Sequence, residues 1–234
     1  MTFLRAIATC ALLGAATLSS APAMAATMDV TPEHSSIFGD AAGQNAMRIR
    51  ASYEMGSLSR VKVLAGAFRL IGTDEAGDKH PFLAFCLSPF EWLRLPLQYT
   101  FGTDLSAPVV NRLSALVNGA WDKLASATAA GAFQLAAWEI VSETKGQPLS
   151  LATGDFRVTW VSHVGSATLA QSWLDSVQDN TFQPKPHNLT ILSADNTQDL
   201  LTADLPAPVP LPAGAGLLAL ALSTLMAAAR KRRA

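Results

Sequence analysis

The chain of 234 residues begins and ends with short apolar segments, and these confine any globular fold to the residues between them. At the N-terminus, Arg5 precedes an apolar run that is too short to span a bilayer comfortably. The small residues Ala23 and Ala25 then form a small-x-small cleavage site. This order of features predicts a helical secretory signal peptide over residues 1–25, with cleavage after Ala25.

The C-terminal segment divides into three parts with different chemistry. Residues 205–213 are rich in proline and predict an extended linker. Residues 214–229 are apolar and barely long enough to cross a thin bilayer as a helix. Residues 230–234 form a basic tail that contains Arg230, Lys231, Arg232 and Arg233. Because clustered basic residues stay in the cytoplasm, this tail predicts that the rest of the chain lies outside the inner membrane.

The linker ends in a short motif made of Val209, Pro210, Leu211, Pro212 and Ala213. This motif, the apolar helix and the basic tail together resemble the VPLPA variant of the PEP-CTERM sorting signal. The resemblance implies Sec export in a Gram-negative bacterium, anchoring in the inner membrane by the C-terminus, and recognition by an exosortase-type sorting protease. It also implies a final place at the cell surface or in the exopolysaccharide matrix of a biofilm. A permanent C-terminal anchor is the alternative.

The part of the chain between the terminal segments is acidic. Five of the 17 basic residues and none of the 18 acidic residues lie in residues 1–25 and 214–234, so the remaining part has 12 basic and 18 acidic residues. A net negative charge repels the phosphate backbone of nucleic acids. We therefore expect no nucleic-acid partner.

Hydrophobic periodicity predicts an α+β fold for residues 26–204. Alternating apolar and polar residues predict strands over 47–53, 60–68, 80–87, 156–160 and 189–191, with a possible bulge at Gly66. The helical period predicts helices over 108–124, 128–143 and 166–177, the first with Ser106 as its cap. Strands that surround a helical middle favour an antiparallel sheet or sandwich core that carries three helices.

Cysteine usage singles out one residue. Removal of the signal peptide also removes Cys10, so Cys86 is the only thiol of the exported part and cannot form an internal disulfide. Four interpretations are open: a buried inert thiol, an intermolecular disulfide, a catalytic nucleophile, or another covalent partner within the chain. A second unusual residue is Gln134, an amide in an otherwise apolar helix. Because burying an unpaired amide is unfavourable, Gln134 needs solvent or a partner.

Two short motifs place Cys86 and Gln134 in a family context. The first is Phe85-Cys86-Leu87, and the second is Phe133-Gln134-Leu135-Ala136-Ala137-Trp138. Their order resembles that of the thioester domains of bacterial surface adhesins. The resemblance implies that the Cys86 sulfur displaces ammonia from Gln134 to form an internal thioester, which then captures an amine or hydroxyl of a protein or exopolysaccharide.

The same resemblance implies that Trp138 is a shield, and the chemistry of a thioester suggests roles for other residues. Phe85, Phe133 and Trp138 would shield the bond from water. A hydroxyl acceptor would benefit from a base, and His80 and His163 are the candidates that titrate near neutral pH. The four histidines have no metal-ligand spacing, so no metal or cofactor is expected.

Two functions from different classes remain at this point. The first is an exported surface protein that attaches covalently through Cys86 and Gln134, a single-use reaction and not enzymatic turnover. The second is a non-covalent structural or polysaccharide-binding matrix protein in which Cys86 is inert. A hydrolase has little support because no nucleophile elbow, phosphate loop or catalytic triad is visible.

Overall fold

The computed structural model describes residues 26–40, 46–143, 146–182 and 185–206. The predicted signal peptide, the VPLPA motif, the transmembrane segment and the basic tail lie outside these residues. Within the described ranges, none of the helices combines the length and the hydropathy needed to cross a bilayer.

The described part contains nine strands and three α-helices. The strands are β1 (Thr27–Pro32), β2 (Arg48–Met55), β3 (Leu58–Gly66), β4 (Phe68–Thr73), β5 (Lys79–Cys86), β6 (Leu97–Phe101), β7 (Phe156–Val161), β8 (Leu189–Ser193) and β9 (Leu200–Ala203). The helices are α1 (Ala107–Ala120), α2 (Ala127–Ser142) and α3 (Val164–Gln178). The predicted α+β class with antiparallel sheets and three helices is confirmed.

Six strands close into a barrel in the order β1-β4-β5-β9-β8-β6, and all neighbours are antiparallel. The other three form a separate sheet in the order β3-β2-β7. The core is therefore a barrel beside a sheet and not the sandwich that the sequence also allowed. Closure removes most free strand edges, but the small sheet keeps two.

Helix α2 is the centre of the fold. Every residue from Ala129 to Ile140 is buried, so the helix has no solvent-facing stripe and is covered on all sides. Its first turn is closed by Ser126, whose hydroxyl accepts the backbone N–H of Ala129 at 3.1 Å. On one side α2 meets the small sheet at Gly131, where a Cβ would lie 2.6 Å from Cγ1 of Ile49. Glycine permits this close approach between helix and strand.

Some element boundaries differ from the sequence predictions. The single strand predicted over 60–68 is two strands in different sheets, because the chain leaves the small sheet after Gly66 and enters the barrel at Phe68. The register irregularity of this region lies between Leu58 and Val61, where β3 has one residue more than β2 and Arg60 has a φ of 52°, and not at Gly66. Ser106 does precede α1, but its side chain makes no capping hydrogen bond. The first predicted helix also ends earlier, because Trp121–Lys123 form a 3-10 turn.

Candidate functional site

Gln134 and Cys86, 48 residues apart in sequence, are directly hydrogen-bonded. The Gln134 Oε1 atom accepts the backbone N–H of Cys86 at 3.0 Å, and Gln134 Nε2 donates to the Cys86 carbonyl oxygen at 2.6 Å. Both residues are buried, with 1% and 2% of their surface exposed. Since both hydrogen bonds go to one residue, the carboxamide is held against the backbone of Cys86, whose side chain bears the thiol.

The fold creates this pairing from two local features. Cys86 is the last residue of β5, where only β9 continues alongside it through the pair Cys86↔Leu200. Gln134 lies in the middle of the fully buried helix α2. The Gln134 amide therefore supplies hydrogen-bond partners for the N–H and carbonyl groups of Cys86, and these two buried groups are in turn the partners of the amide. The partner that the sequence required for Gln134 is Cys86 itself.

The Cys86 sulfur lies in a dry environment. Burial raises the pKa of the Cys86 thiol to about 12, although the Trp138 indole N–H and the Ser88 backbone N–H face the sulfur and act in the opposite direction. The indole N–H makes no hydrogen bond of strict geometry, and its contact with the sulfur is electrostatic. The raised pKa favours the protonated thiol at neutral pH, and a protonated thiol is a weak nucleophile.

The three predicted shielding residues lie in different places. Trp138 is on the side of the sulfur and packs near Tyr53, with ring centroids 6.1 Å apart. Phe85 follows the alternation of β5 and points away from Cys86. Its ring packs on Phe133 with centroids 4.4 Å apart, in a cluster that includes Trp121. These two phenylalanines close the far side of the site, and Trp138 closes the near side.

A wide groove of about 1290 Å³ opens beside Cys86 and Trp138. It is also lined by β3 and by the segment that follows β5, including Pro89, Phe90 and Trp92. Trp92 is 85% exposed and Phe90 is 51% exposed, which is unusual for large apolar side chains. A molecule in this groove would be next to Cys86 and Trp138, whereas Gln134 lies behind them and does not line the groove.

Tyr53 and Glu91 are groove residues that sequence reasoning missed. The Tyr53 hydroxyl donates to the Pro89 carbonyl oxygen at 3.0 Å and so ties the small sheet to the segment after β5. Glu91 lines the groove and is near enough to disfavour a Cys86 thiolate. Neither had a sequence signal, because their roles depend on a contact between distant parts of the chain.

The two histidines proposed as bases are elsewhere. His80 is six residues before Cys86 along β5, a separation of about 20 Å in an extended strand. Its Nε2 atom pairs with Asp74 at 3.0 Å in the turn before the strand. His163 precedes α3 and contacts the Ser162 hydroxyl at 3.0 Å. Neither lines the groove with Cys86, so a base role for them stays a prediction without geometric support.

A second buried polar group occurs one residue after Trp138. Glu139 is fully buried, and its Oε1 accepts the backbone N–H of Ser150 at 2.7 Å. Burial, together with nearby Glu143 and Asp155, raises the pKa of Glu139 to about 8, against the lowering effect of the Ser150 N–H. Glu143 in turn accepts the backbone N–H of Asp155 at 3.1 Å. These carboxyls hold the loop before β7, and the described residues contain no cluster suited to a metal ion.

The similarity of this chain to known proteins is weak. No protein-family model matches the chain, and no curated protein sequence does. Among solved structures, the chain is similar to the N-terminal thioester domain of a surface protein from Clostridium perfringens. The two are 12% identical, the TM-score is 0.34, and the match covers 66% of this chain and 97% of the other. A TM-score this low carries no conclusion, so the proposals below rest on the contacts of the described residues.

Proposed function

We propose that this is an exported surface or matrix protein that attaches covalently to its target through a thioester between Cys86 and Gln134. The observation that carries the proposal is the double hydrogen bond between the Gln134 carboxamide and the Cys86 backbone. Any buried backbone segment could form hydrogen bonds with the side chain of a glutamine. Here the segment belongs to the residue that bears the only thiol among the described residues.

Thioester formation is balanced without any external reagent. The Cys86 sulfur attacks the carboxamide carbon of Gln134, the bond from that carbon to Nε2 breaks, and the thiol proton leaves with the nitrogen as ammonia. Since the thiol pKa is raised to about 12, the proton moves to the departing nitrogen as the carbon–sulfur bond forms, and no free thiolate precedes the attack.

Position and charge stabilisation come from the same two hydrogen bonds. Holding the carboxamide against Cys86 replaces a bimolecular encounter with an intramolecular one, which is worth up to about 7–11 kcal/mol in well-oriented systems. The negative charge of the tetrahedral intermediate develops on Oε1, which already accepts the Cys86 N–H at 3.0 Å.

The groove provides the route for the second step. Trp138 and the burial of both residues limit attack by water, while the open groove admits a nucleophile from one side. An incoming amine takes the acyl group of Gln134 as an amide, and the Cys86 thiol is released with its proton. The protein is consumed in this step, so we propose no enzymatic turnover.

Placement outside the cell is part of the proposal and rests on the sequence. Cleavage after Ala25 would release the folded part, and the segment from Val209 to Ala213 would direct an exosortase-type protease to the C-terminus. The basic tail would hold the chain in the inner membrane until that cleavage. The targets we propose are amines or hydroxyls on proteins or on an exopolysaccharide.

Peptide-level mass spectrometry of the purified protein tests the thioester. We expect the peptides that contain Cys86 and Gln134 to be joined, with a combined mass lower by one ammonia than their sequences predict. Methylamine should separate them, leave a methylamide at Gln134 and expose one thiol. Cys86→Ser should abolish all three effects and keep the shape of the site.

A different result would overturn the proposal. Unlinked peptides of full mass, together with an unmodified Gln134 after methylamine treatment, would mean that Cys86 is inert. The non-covalent matrix role would then be the remaining function.

A further inference from the structure

Strand β3 has one free edge. It pairs with β2 on one side, and no other strand among the described residues pairs with it on the other. The strand is nine residues long, and its side chains Leu58 and Leu64 are more than 40% exposed. A long edge strand with exposed apolar side chains offers unpaired backbone groups to another extended chain.

The two faces of this edge differ in chemistry. Lys62 lies on the exposed face of β3, and Arg50 of the neighbouring strand shares that face because it pairs with Leu64. Arg60 is also exposed, in a bulge of the strand where its φ is 52°. No ion pair with these three basic residues occurs in the described part of the chain. The nearest acidic group on β2, Glu54, is paired with Arg157 at 3.2 Å. The edge is thus locally basic on a protein that is acidic elsewhere.

The opposite face is apolar, and the groove beside Cys86 is lined from both faces of β3, by Arg60 and Lys62 as well as by the apolar residues. Val61 and Val63 are half-buried and pair across the sheet with Tyr53 and Ala51, which are buried. The groove continues from these valines to Phe90 and Leu93. A strand added beside β3 would place every second side chain over this apolar surface.

The charges disfavour a second copy of this chain as the occupant. In an antiparallel pair of two β3 strands that overlap over most of their length, Arg60 and Lys62 of one copy face the same residues of the other. Like charges opposite each other destabilise strand pairing, and edge lysines are a common means of preventing it.

We propose that the free edge of β3 binds an extended polypeptide segment of another protein in which acidic and apolar residues alternate. Backbone hydrogen bonds to β3 supply the register. The acidic side chains face Arg60 and Lys62, and the apolar side chains cover Val61 and Val63. This interaction is non-covalent and does not depend on the thioester.

Fluorescence anisotropy with a labelled peptide of alternating Glu and Val tests the proposal. The peptide is nine residues long, the length of β3. We expect saturable binding that weakens as salt is added, and at least about tenfold weaker binding of a Lys-Val peptide of the same length. Methylating the amide nitrogens along one edge of the Glu-Val peptide should abolish binding, since the side chains remain but the backbone donors do not.

Matched protein variants assign the site. Lys62→Glu should weaken binding of the Glu-Val peptide by about fivefold and strengthen binding of the Lys-Val peptide. Lys79→Glu makes the same change at an exposed lysine of β5 and should leave both affinities unchanged. Cys86→Ser should bind like the parent protein, so a failure of the thioester leaves this test intact.

Three results would overturn the proposal. Equal binding of the two peptides or of the methylated peptide would exclude an edge that selects acidic strands. Concentration-dependent dimers of the parent protein in sedimentation that the Glu-Val peptide dissociates would identify a second copy as the occupant. Displacement of the Glu-Val peptide by an anionic polysaccharide, together with tight binding of that polysaccharide, would identify a saccharide site.

Discussion

The Gln134 carboxamide is bonded at both of its polar ends to Cys86, through the N–H and the carbonyl group of the same residue. This arrangement has a structural consequence apart from any covalent bond. Helix α2 and strand β5 are fixed to each other where β5 ends, so the two elements that carry the site cannot separate without exposing buried polar groups.

Removing the Gln134 side chain should therefore destabilise the fold even without a thioester. In a Cys86→Ala background, where no thioester can form, we expect Gln134→Ala to lower the free energy of unfolding by about 2–4 kcal/mol, because two buried backbone groups lose their partners. Urea denaturation followed by circular dichroism measures this. A change within about 0.5 kcal/mol would mean that water replaces the amide and that the pairing is not structural.

The thiol released by methylamine should react slowly. Because burial raises the pKa of Cys86 to about 12, its rate of alkylation by iodoacetamide should rise about tenfold per pH unit from pH 7 to 10 without a plateau. A Ser57→Cys variant in a Cys86→Ala background provides an exposed control, whose rate should level off near pH 9. A plateau for Cys86 below pH 9 would contradict the dry environment described for the sulfur.

Glu139 should make stability fall as the pH rises. Its pKa is raised from 4.5 to about 8 by burial, so the folded state retains a proton that the unfolded state loses above about pH 4.5. The free energy of unfolding should decline as the pH rises from about 4.5 to about 8. Above pH 8, Glu139 should no longer contribute to the dependence of this free energy on pH.

Glu139→Gln isolates this effect because the amide can still accept the Ser150 N–H. The difference in unfolding free energy between variant and parent should change across pH 5 to 8 in favour of the variant. A constant difference would show that Glu139 has the same pKa in both states.

Gly131 should not tolerate a side chain while Ile49 is present. A Cβ at Gly131 would lie 2.6 to 3.0 Å from three carbons of Ile49, so we expect Gly131→Ala to destabilise the protein by about 1–3 kcal/mol. Shortening the neighbour in Gly131→Ala/Ile49→Val should recover part of the loss in a double-mutant cycle.

Gly165 supplies the matched control in α3. A Cβ there would meet only Cγ2 of Thr128 at 3.7 Å, which is ordinary contact. Gly165→Ala should therefore stabilise the protein by about 0.5–1 kcal/mol through helix propensity. Equal effects of the two substitutions in thermal melts would mean that the helix and the sheet do not pack tightly at Gly131.

Local patterns were sufficient for the helices and for the strands with clear alternation, such as β2 and β5. They also identified Gln134 as a residue that needed a partner, because an amide in an apolar helix has few ways to be satisfied. They failed at Ala67, where one apolar run passes from the small sheet into the barrel. Alternation continues through such a crossing, so nothing local marks it.

The candidate site was predictable in its two members and not in its surroundings. Strand alternation alone implies that the side chains of Phe85 and Cys86 point to opposite faces of the sheet. Only the fold shows that, of the three predicted shielding residues, Trp138 lies on the side of the sulfur. The donor to Gln134 Oε1 could not be predicted, because it is the backbone N–H of Cys86, which has no signature in the sequence. The groove joins β3 to the segment after β5, and its residues are distant in sequence.

The barrel also determines where mechanical load would enter the molecule. Strand β9 leads to the C-terminus, and it is joined to β5 by only two registered pairs, Phe85↔Leu201 and Cys86↔Leu200. In a protein tethered by its C-terminus and attached to a target through Gln134, tension would run along β9, across this short ladder and into α2. These pairs, together with the four between β9 and β8, would then bear the force in shear. They would set the load at which the fold opens, while the continuous backbone would keep the target attached.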